Sequence, residues 1–264
     1  MNIWQLSHKE LVALYHNARL PCPKQDIGDV TVVCHLSSQG HLLRGMIESA
    51  RAVTDEIIVF DDCSIDDTRA IAFEEGCRVF NVPEGWIYTH GFGALIKRQV
   101  EACETQYHLG IDAGERLWIP PDCPDLMGEF GSNMRLNNEY KSLPEKYRQE
   151  MYYRIIKTDI DLVFTTTIHG APTITAGGKV GRSQIVLFHE DPNVQDNIEA
   201  YIKRRSRLYL KMLQKGLRQN TLHNPYWERK YRDNAESYEQ RIRDLENELG
   251  VLGETSEEII EVKK

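Results

Sequence analysis

Between residues 28 and 118 short apolar, β-branched runs alternate with stretches whose apolar positions recur every three or four residues. Runs at 30–36, 56–60, 77–82 and 108–111 predict buried strands, and the stretches 42–53, 66–75 and 92–103 predict amphipathic helices. Strands that alternate with helices form crossover units and hence a mostly parallel sheet, so the predicted fold class is α/β. Ligands of such sheets bind beyond the carboxyl ends of the strands. Acidic residues fall there: Asp61 and Asp62 after Ile57-Ile58-Val59-Phe60, and Asp112 with Glu115 after Leu109-Gly110-Ile111.

Outside this block the pattern changes. Ile3, Leu6, Leu11, Leu14 and Tyr15 have helical spacing until Pro21 and Pro23, which gives an N-terminal helix and linker over 1–27. Pro120, Pro121, Pro124, Pro144 and Pro172 loosen the next stretch, yet 152–156, 161–167 and 184–188 read as strands and 194–215 as a basic helix. The segment 119–216 is expected to be the second half of the domain that 28–118 begins. From 217 to 264 the chain is polar, with Tyr238, Ile242, Leu245, Leu249 and Leu252 at steps of three and four. A helical tail is expected, either packed on its own domain or pairing two copies as a short coiled coil.

The 264 residues suit one catalytic domain. A net charge of -8 argues against a protein that binds nucleic acid by neutralising many phosphates, but leaves room for a small anionic ligand in a local cradle of donors. No apolar run reaches the roughly 18 residues that span a bilayer. No basic start is followed by an apolar stretch, so a cytoplasmic location is expected. The six cysteines include no C-x-x-C pair and read as reduced thiols.

The block Asp61-Asp62-Cys63-Ser64-Ile65-Asp66-Asp67-Thr68 follows the second strand. A carboxylate at a strand end accepts hydrogen bonds from a base edge, and Ser64 and Asp66 are suited to cap the next helix. With the strand before it, this block resembles the donor-binding half of family 2 glycosyltransferases, whose second strand ends in Asp-Asp-x-Ser-x-Asp-x-Thr. Leu109-Gly110-Ile111-Asp112-Ala113-Gly114-Glu115 resembles the strand and acidic turn that these enzymes use for the sugar nucleotide. The resemblance implies a GT-A fold and places the chain nearest the sugar transferases of bacterial surface polysaccharides and lipopolysaccharides. It further implies that Asp62 holds the base and that His35 lines the nucleoside pocket.

The family's second motif is Asp-x-Asp, whose later acid binds a divalent cation; here Gly114 takes that position. Hard cations such as Mn2+ or Mg2+ favour oxygen ligands, so Asp112 and Glu115 remain as candidates with water filling the gap. His189, which ends the run Ile185-Val186-Leu187-Phe188, resembles a strand-end histidine that completes the metal site in several subfamilies. His169 resembles the histidine of the family's His-Glu pair, with Gly170 in place of the acid. Arg154 matches an acceptor-side arginine and, with Lys97, is a candidate donor contact. An inverting transferase needs a base; the candidates are Glu115, His169, Glu190 and Asp191, and the site is built around the first two. The expected activity is transfer of a sugar from a nucleoside diphosphate, UDP above all, to a hydroxyl of a glycan, lipid-linked or protein acceptor. The alternative is a degenerate GT-A domain that binds a sugar nucleotide or glycan without turnover.

Overall fold

The computed structural model describes residues 5–17, 29–119, 132–137, 149–159, 162–164, 172–174, 182–189 and 257–263. In chain order its elements are α1 (His8–Asn17), β1 (Val30–Leu36), α2 (Gly40–Ala50), β2 (Ile57–Asp62), α3 (Thr68–Glu74), β3 (Arg78–Val82), α4 (Trp86–His90) and α5 (Phe92–Ala102). Then follow β4 (Tyr107–Gly110), β5 (Glu115–Trp118), β6 (Ser132–Asn137), β7 (Gln149–Tyr153), β8 (Ile155–Lys157), β9 (Leu162–Phe164), β10 (Pro172–Ile174), β11 (Arg182–His189) and β12 (Ile260–Val262).

The principal sheet is six-stranded, in the order β12-β3-β2-β1-β4-β8. β3, β2, β1 and β4 run parallel, and the antiparallel strands β12 and β8 close the two edges. The α/β reading with a mostly parallel sheet is borne out, and the parallel order has the acidic ends of β2 and β4 on one side of the sheet. Strands buried on both faces read as continuous apolar runs. Accordingly Val30 to Cys34 of β1 and Ile57 to Asp61 of β2 are all buried.

One face packs Leu43, Met46 and Ile47 of α2 and Ile71 and Ala72 of α3 against Val32, Cys34, Val59 and Leu109. The other packs Val33, Ile58 and Phe60 against Trp86, Ile87 and Leu95 of the α4–α5 pair.

A second, four-stranded sheet has the order β5-β11-β6-β7. Its strands β5 and β11 supply Leu117, Ile185 and Leu187 to the core beside α2, so this sheet continues the first core. Its outer residues Trp118, Val186 and Phe188 are covered by Leu11 of α1. That helix opens on a capping box: the Ser7 amide and hydroxyl donate to the Glu10 carboxylate at 2.8 and 2.7 Å, and the Glu10 amide donates to Ser7 Oγ at 3.3 Å.

Three details depart from the sequence reading. The run 152–156 is interrupted at Arg154: β7 before it belongs to the four-stranded sheet and β8 after it to the six-stranded one. Glu115–Trp118, read as the end of an acidic turn, is a strand. Ile260–Val262, within the tail expected to be helical, pairs antiparallel with β3 instead, secured by Arg78 on Glu261 at 2.9 Å. The basic helix expected at 194–215 and the heptad residues at 238–252 lie outside the described residues.

Candidate active site

The loops after β1 and β2 are laced together. The Ser38 amide donates to Ser64 Oγ at 2.8 Å, and the Ile65 amide donates to Ser38 Oγ at 3.1 Å. Asp66 accepts the Gly40 amide at 3.0 Å and the Thr68 amide at 3.1 Å, and so ties the start of α2 to the start of α3. Thr68 Oγ1 accepts the Gln39 amide at 3.2 Å. Asp67 is the residue that precedes α3, but its side chain caps no amide. Both loops turn through the left-handed region at non-glycine residues, Ser38 (φ 53°) and Cys63 (φ 49°), a costly conformation that this lacing holds in place.

Asp61 and Asp62 are adjacent but have separate surroundings. Asp61 is fully buried; its carboxylate takes Arg69 Nε at 2.8 Å and the Ser64 amide at 3.1 Å. Arg69 reaches on to Asn81 Oδ1 at 2.7 Å. Asp61 is thus the anchor of its loop. Asp62 is the residue turned toward β1: its Oδ2 lies 3.9 Å from His35 Nε2. The imidazole also meets the Phe92 ring edge-on, with centroids 6.0 Å apart, at the start of α5.

β4 lies on the opposite side of β1 from β2 and ends level with Val33, so Asp112 emerges two residues past the same sheet edge. Residues 112–115 form a tight turn in which the Glu115 amide donates to the Asp112 carbonyl at 2.9 Å and the Asp112 amide to Glu115 Oε2 at 2.8 Å. Gly114, where the family's later acid would stand, is buried in that turn. Glu115 is fully buried, whereas the Asp112 side chain is 45% exposed.

Arg154 completes the group. Its Nη1 and Nη2 donate to Asp112 Oδ1 and Oδ2 at 3.1 and 2.9 Å, and Nη2 also reaches Glu115 Oε1 at 3.3 Å. Its carbonyl accepts the Gly110 amide at 2.9 Å. The residue at which the chain passes from one sheet to the other therefore brings its guanidinium to the acidic turn. Burial, followed by the charges of Asp112 and Glu115, pushes the Cys34 thiol well above its usual range, which keeps it protonated beside the site.

The remaining sequence candidates are placed differently. In the antiparallel register of β5 and β11, His189 is the partner of Glu115, so its backbone lies directly across from the acidic turn. Lys97 is exposed on α5, with Glu101 at 4.0 Å. His169, Gly170, Glu190 and Asp191 lie outside the described residues. Sequence reasoning missed Arg69 and the reach of Arg154 to both acids; neither follows from local spacing, because the partners are set by strand order.

Among the described residues no group of three or more His, Cys, Asp or Glu side chains is arranged to hold a metal ion. The Asp112 carboxylate, half exposed and paired with Arg154, is of the oxygen-donor kind that hard divalent cations prefer. Such ions commonly take one or two carboxylates and complete their shell with phosphate oxygens and water.

No protein family model matches the chain, and no curated protein matches it. Solved structures that resemble it include glucosyl-3-phosphoglycerate synthase from Mycobacterium tuberculosis in complex with Mn2+, uridine diphosphate and glucosyl-3-phosphoglycerate, at 24% identity and a TM-score of 0.28, covering 42% of this chain and 39% of the synthase. The same synthase with Mn2+ and UDP-glucose matches at 24% identity and a TM-score of 0.29, over 42% and 38% of the two chains. Its complex with Mg2+ and uridine diphosphate gives the same four values: 24%, 0.29, 42% and 38%. The match thus spans about two-fifths of the synthase's length.

Proposed function

We propose that this chain is a GT-A glycosyltransferase that takes a nucleoside-diphosphate sugar, UDP-linked, and passes the sugar to an acceptor hydroxyl with inversion. The observation that supports it best is the convergence of Asp62, His35 and Asp112 at the carboxyl ends of three adjacent parallel strands, β2, β1 and β4. Neighbouring strands lie about 4.8 Å apart, so β2 and β4 are separated by roughly 10 Å, a span that suits a nucleoside at one end and a diphosphate at the other.

In this reading Asp62 accepts the hydrogen-bond donor on the base edge, and His35, steadied by Phe92, lines the nucleoside pocket. Asp112 is the carboxylate that meets the diphosphate. A Mn2+ or Mg2+ ion held by Asp112, with Glu115 and His189 close by in the fold, would neutralise charge on the leaving nucleotide diphosphate. Glu115 receives the Asp112 amide and so holds the acidic turn in shape; its burial makes it a positioning residue in the donor-bound arrangement. The acceptor, a glycan, lipid-linked sugar or protein, is assigned to the 119–216 half, with His169, Glu190 and Asp191 as the remaining candidates for the group that takes the hydroxyl proton.

The test is sugar release and transfer from a panel of nucleotide sugars, with the purified chain and its Asp112→Asn variant. Release from one UDP-sugar that depends on Asp112 is expected; no release or transfer from any nucleotide sugar contradicts the activity. A binding module without turnover is the second reading, favoured by the full hold of Arg154 on the Asp112 carboxylate. Tight UDP binding with no sugar release would select it.

A further inference from the structure

We propose that Arg154 is an exchangeable counter-ion: its guanidinium holds the Asp112 carboxylate in the acidic turn, and a cation-bound nucleotide diphosphate takes Asp112 from it and draws it onto the phosphates. This rests on the donor reading above and adds to it a residue that couples cation entry to nucleotide entry.

Three observations carry it. Both carboxylate oxygens of Asp112 are engaged by Arg154, at 3.1 and 2.9 Å, so a cation cannot take Asp112 bidentately without displacing the guanidinium. The exposures form a gradient, 45% for the Asp112 side chain, 18% for Arg154 and 0% for Glu115, so a ligand arriving from solvent meets Asp112 first. Glu115 is fixed by the Asp112 amide at 2.8 Å and lies 3.3 Å from Arg154 Nη2, so a guanidinium that gives up Asp112 keeps a buried partner and is not left as an uncompensated charge.

The arginine also passes close over Gly110. A Cβ on Gly110 would stand 3.8 Å from Arg154 Cδ, in ordinary van der Waals contact, so the side chain runs along the backbone of β4 on its way to the turn. A bidentate guanidinium matches a carboxylate and a phosphate equally well, because both present two oxygens at similar spacing. The exchange is therefore one of like for like: the cation satisfies Asp112, and phosphate oxygens replace Asp112 at the guanidinium. Without the nucleotide, a cation has to expel the arginine with no phosphate to receive it.

The experiment measures Mn2+ affinity by electron paramagnetic resonance and UDP affinity by calorimetry for the full chain, Arg154→Gln and Arg154→Lys, with circular dichroism to confirm the fold of each. In the wild type, Mn2+ should bind weakly alone and much more tightly with UDP. Arg154→Gln should bind Mn2+ alone about tenfold or more tightly, and Mn2+ with UDP about tenfold less tightly, because one charge-assisted contact is worth roughly a factor of ten. Arg154→Lys, which keeps the charge but loses the fork, should fall between them. Unchanged or weaker binding of Mn2+ alone in folded Arg154→Gln, with UDP binding retained, overturns the exchange and leaves the donor reading standing. Absence of UDP binding in the wild type overturns both.

Discussion

His35 Nε2 lies 3.9 Å from Asp62 Oδ2, at the ends of two strands that run side by side in parallel. The pair forms a polar corner beside Phe92, while the neighbouring Asp61 turns into the protein to meet Arg69. One aspartate of the doublet thus anchors its loop, and the other turns toward His35. Asp62→Ala should weaken UDP binding by about tenfold to a hundredfold, the range expected for one hydrogen bond to a charged group. Isothermal titration calorimetry checks this; an affinity equal to wild type would remove Asp62 from the nucleoside pocket.

The companion aspartate should show up in stability. Removing Arg69 leaves the Asp61 carboxylate buried against the Ser64 amide, with its cationic partner gone. Loss of one partner of a buried pair costs about 3–5 kcal/mol, and the part-exposure of Arg69 lowers the expected cost to roughly 2–3 kcal/mol for Arg69→Met. Urea denaturation measures it, and the double variant with Asp61→Asn should recover part of the loss.

Gly40 is needed for the close approach of two helix starts. A Cβ there would stand 2.5 Å from Asp67 Oδ1, 3.0 Å from the Thr68 amide nitrogen and 3.2 Å from Ile71 Cδ1. The Asp67 side chain can rotate away, but the Thr68 backbone cannot. Gly40→Ala should therefore cost about 1–3 kcal/mol, the usual cost of overpacking, in spite of the better helix propensity of alanine. A melting temperature equal to or above wild type would contradict the contact.

His108 gives the fold a pH dependence of calculable sign. It is fully buried in β4, and burial first, then the charge of Arg154, lower its pKa from 6.5 to about 4. Between those values the unfolded chain binds the proton that the folded chain refuses. Stability from this group is complete above about pH 6.5, declines as the pH falls, and levels off below about pH 4. The full loss is of the order of 3 kcal/mol, at 1.36 kcal/mol for each pH unit between the two pKa values. Chemical denaturation of wild type and His108→Phe from pH 7 to pH 4 should show a shallower decline in the variant; parallel profiles would exclude His108 as a source.

Much of the parallel sheet between β1 and β4 was legible because its signals are local. Six- and seven-residue apolar runs mark the strands β2 and β1, buried on both faces, and Asp61 through Thr68 carry both the strand end and the start of the next helix. The residues that escaped are those whose structure is set from a distance. Glu115–Trp118 spans four residues and becomes a strand through β11, some seventy residues on. Ile260–Val262 becomes a strand through β3. Tyr152 to Ile156 reads as one apolar run, and nothing in its periodicity shows that Arg154 divides it between two sheets. The contact of Arg154 with Asp112 and Glu115, the feature with the largest consequence for chemistry, follows from that division.

The account as a whole depends on one pocket for an activated sugar at the ends of β2, β1 and β4. Calorimetric titration of UDP into the wild type and into Asp112→Asn, each with Mn2+ and with chelator, tests it most directly. The expected result is tight binding to the wild type with Mn2+, weaker binding with chelator, and no Mn2+ enhancement in Asp112→Asn. No binding of any nucleoside diphosphate to the wild type under either condition would contradict it.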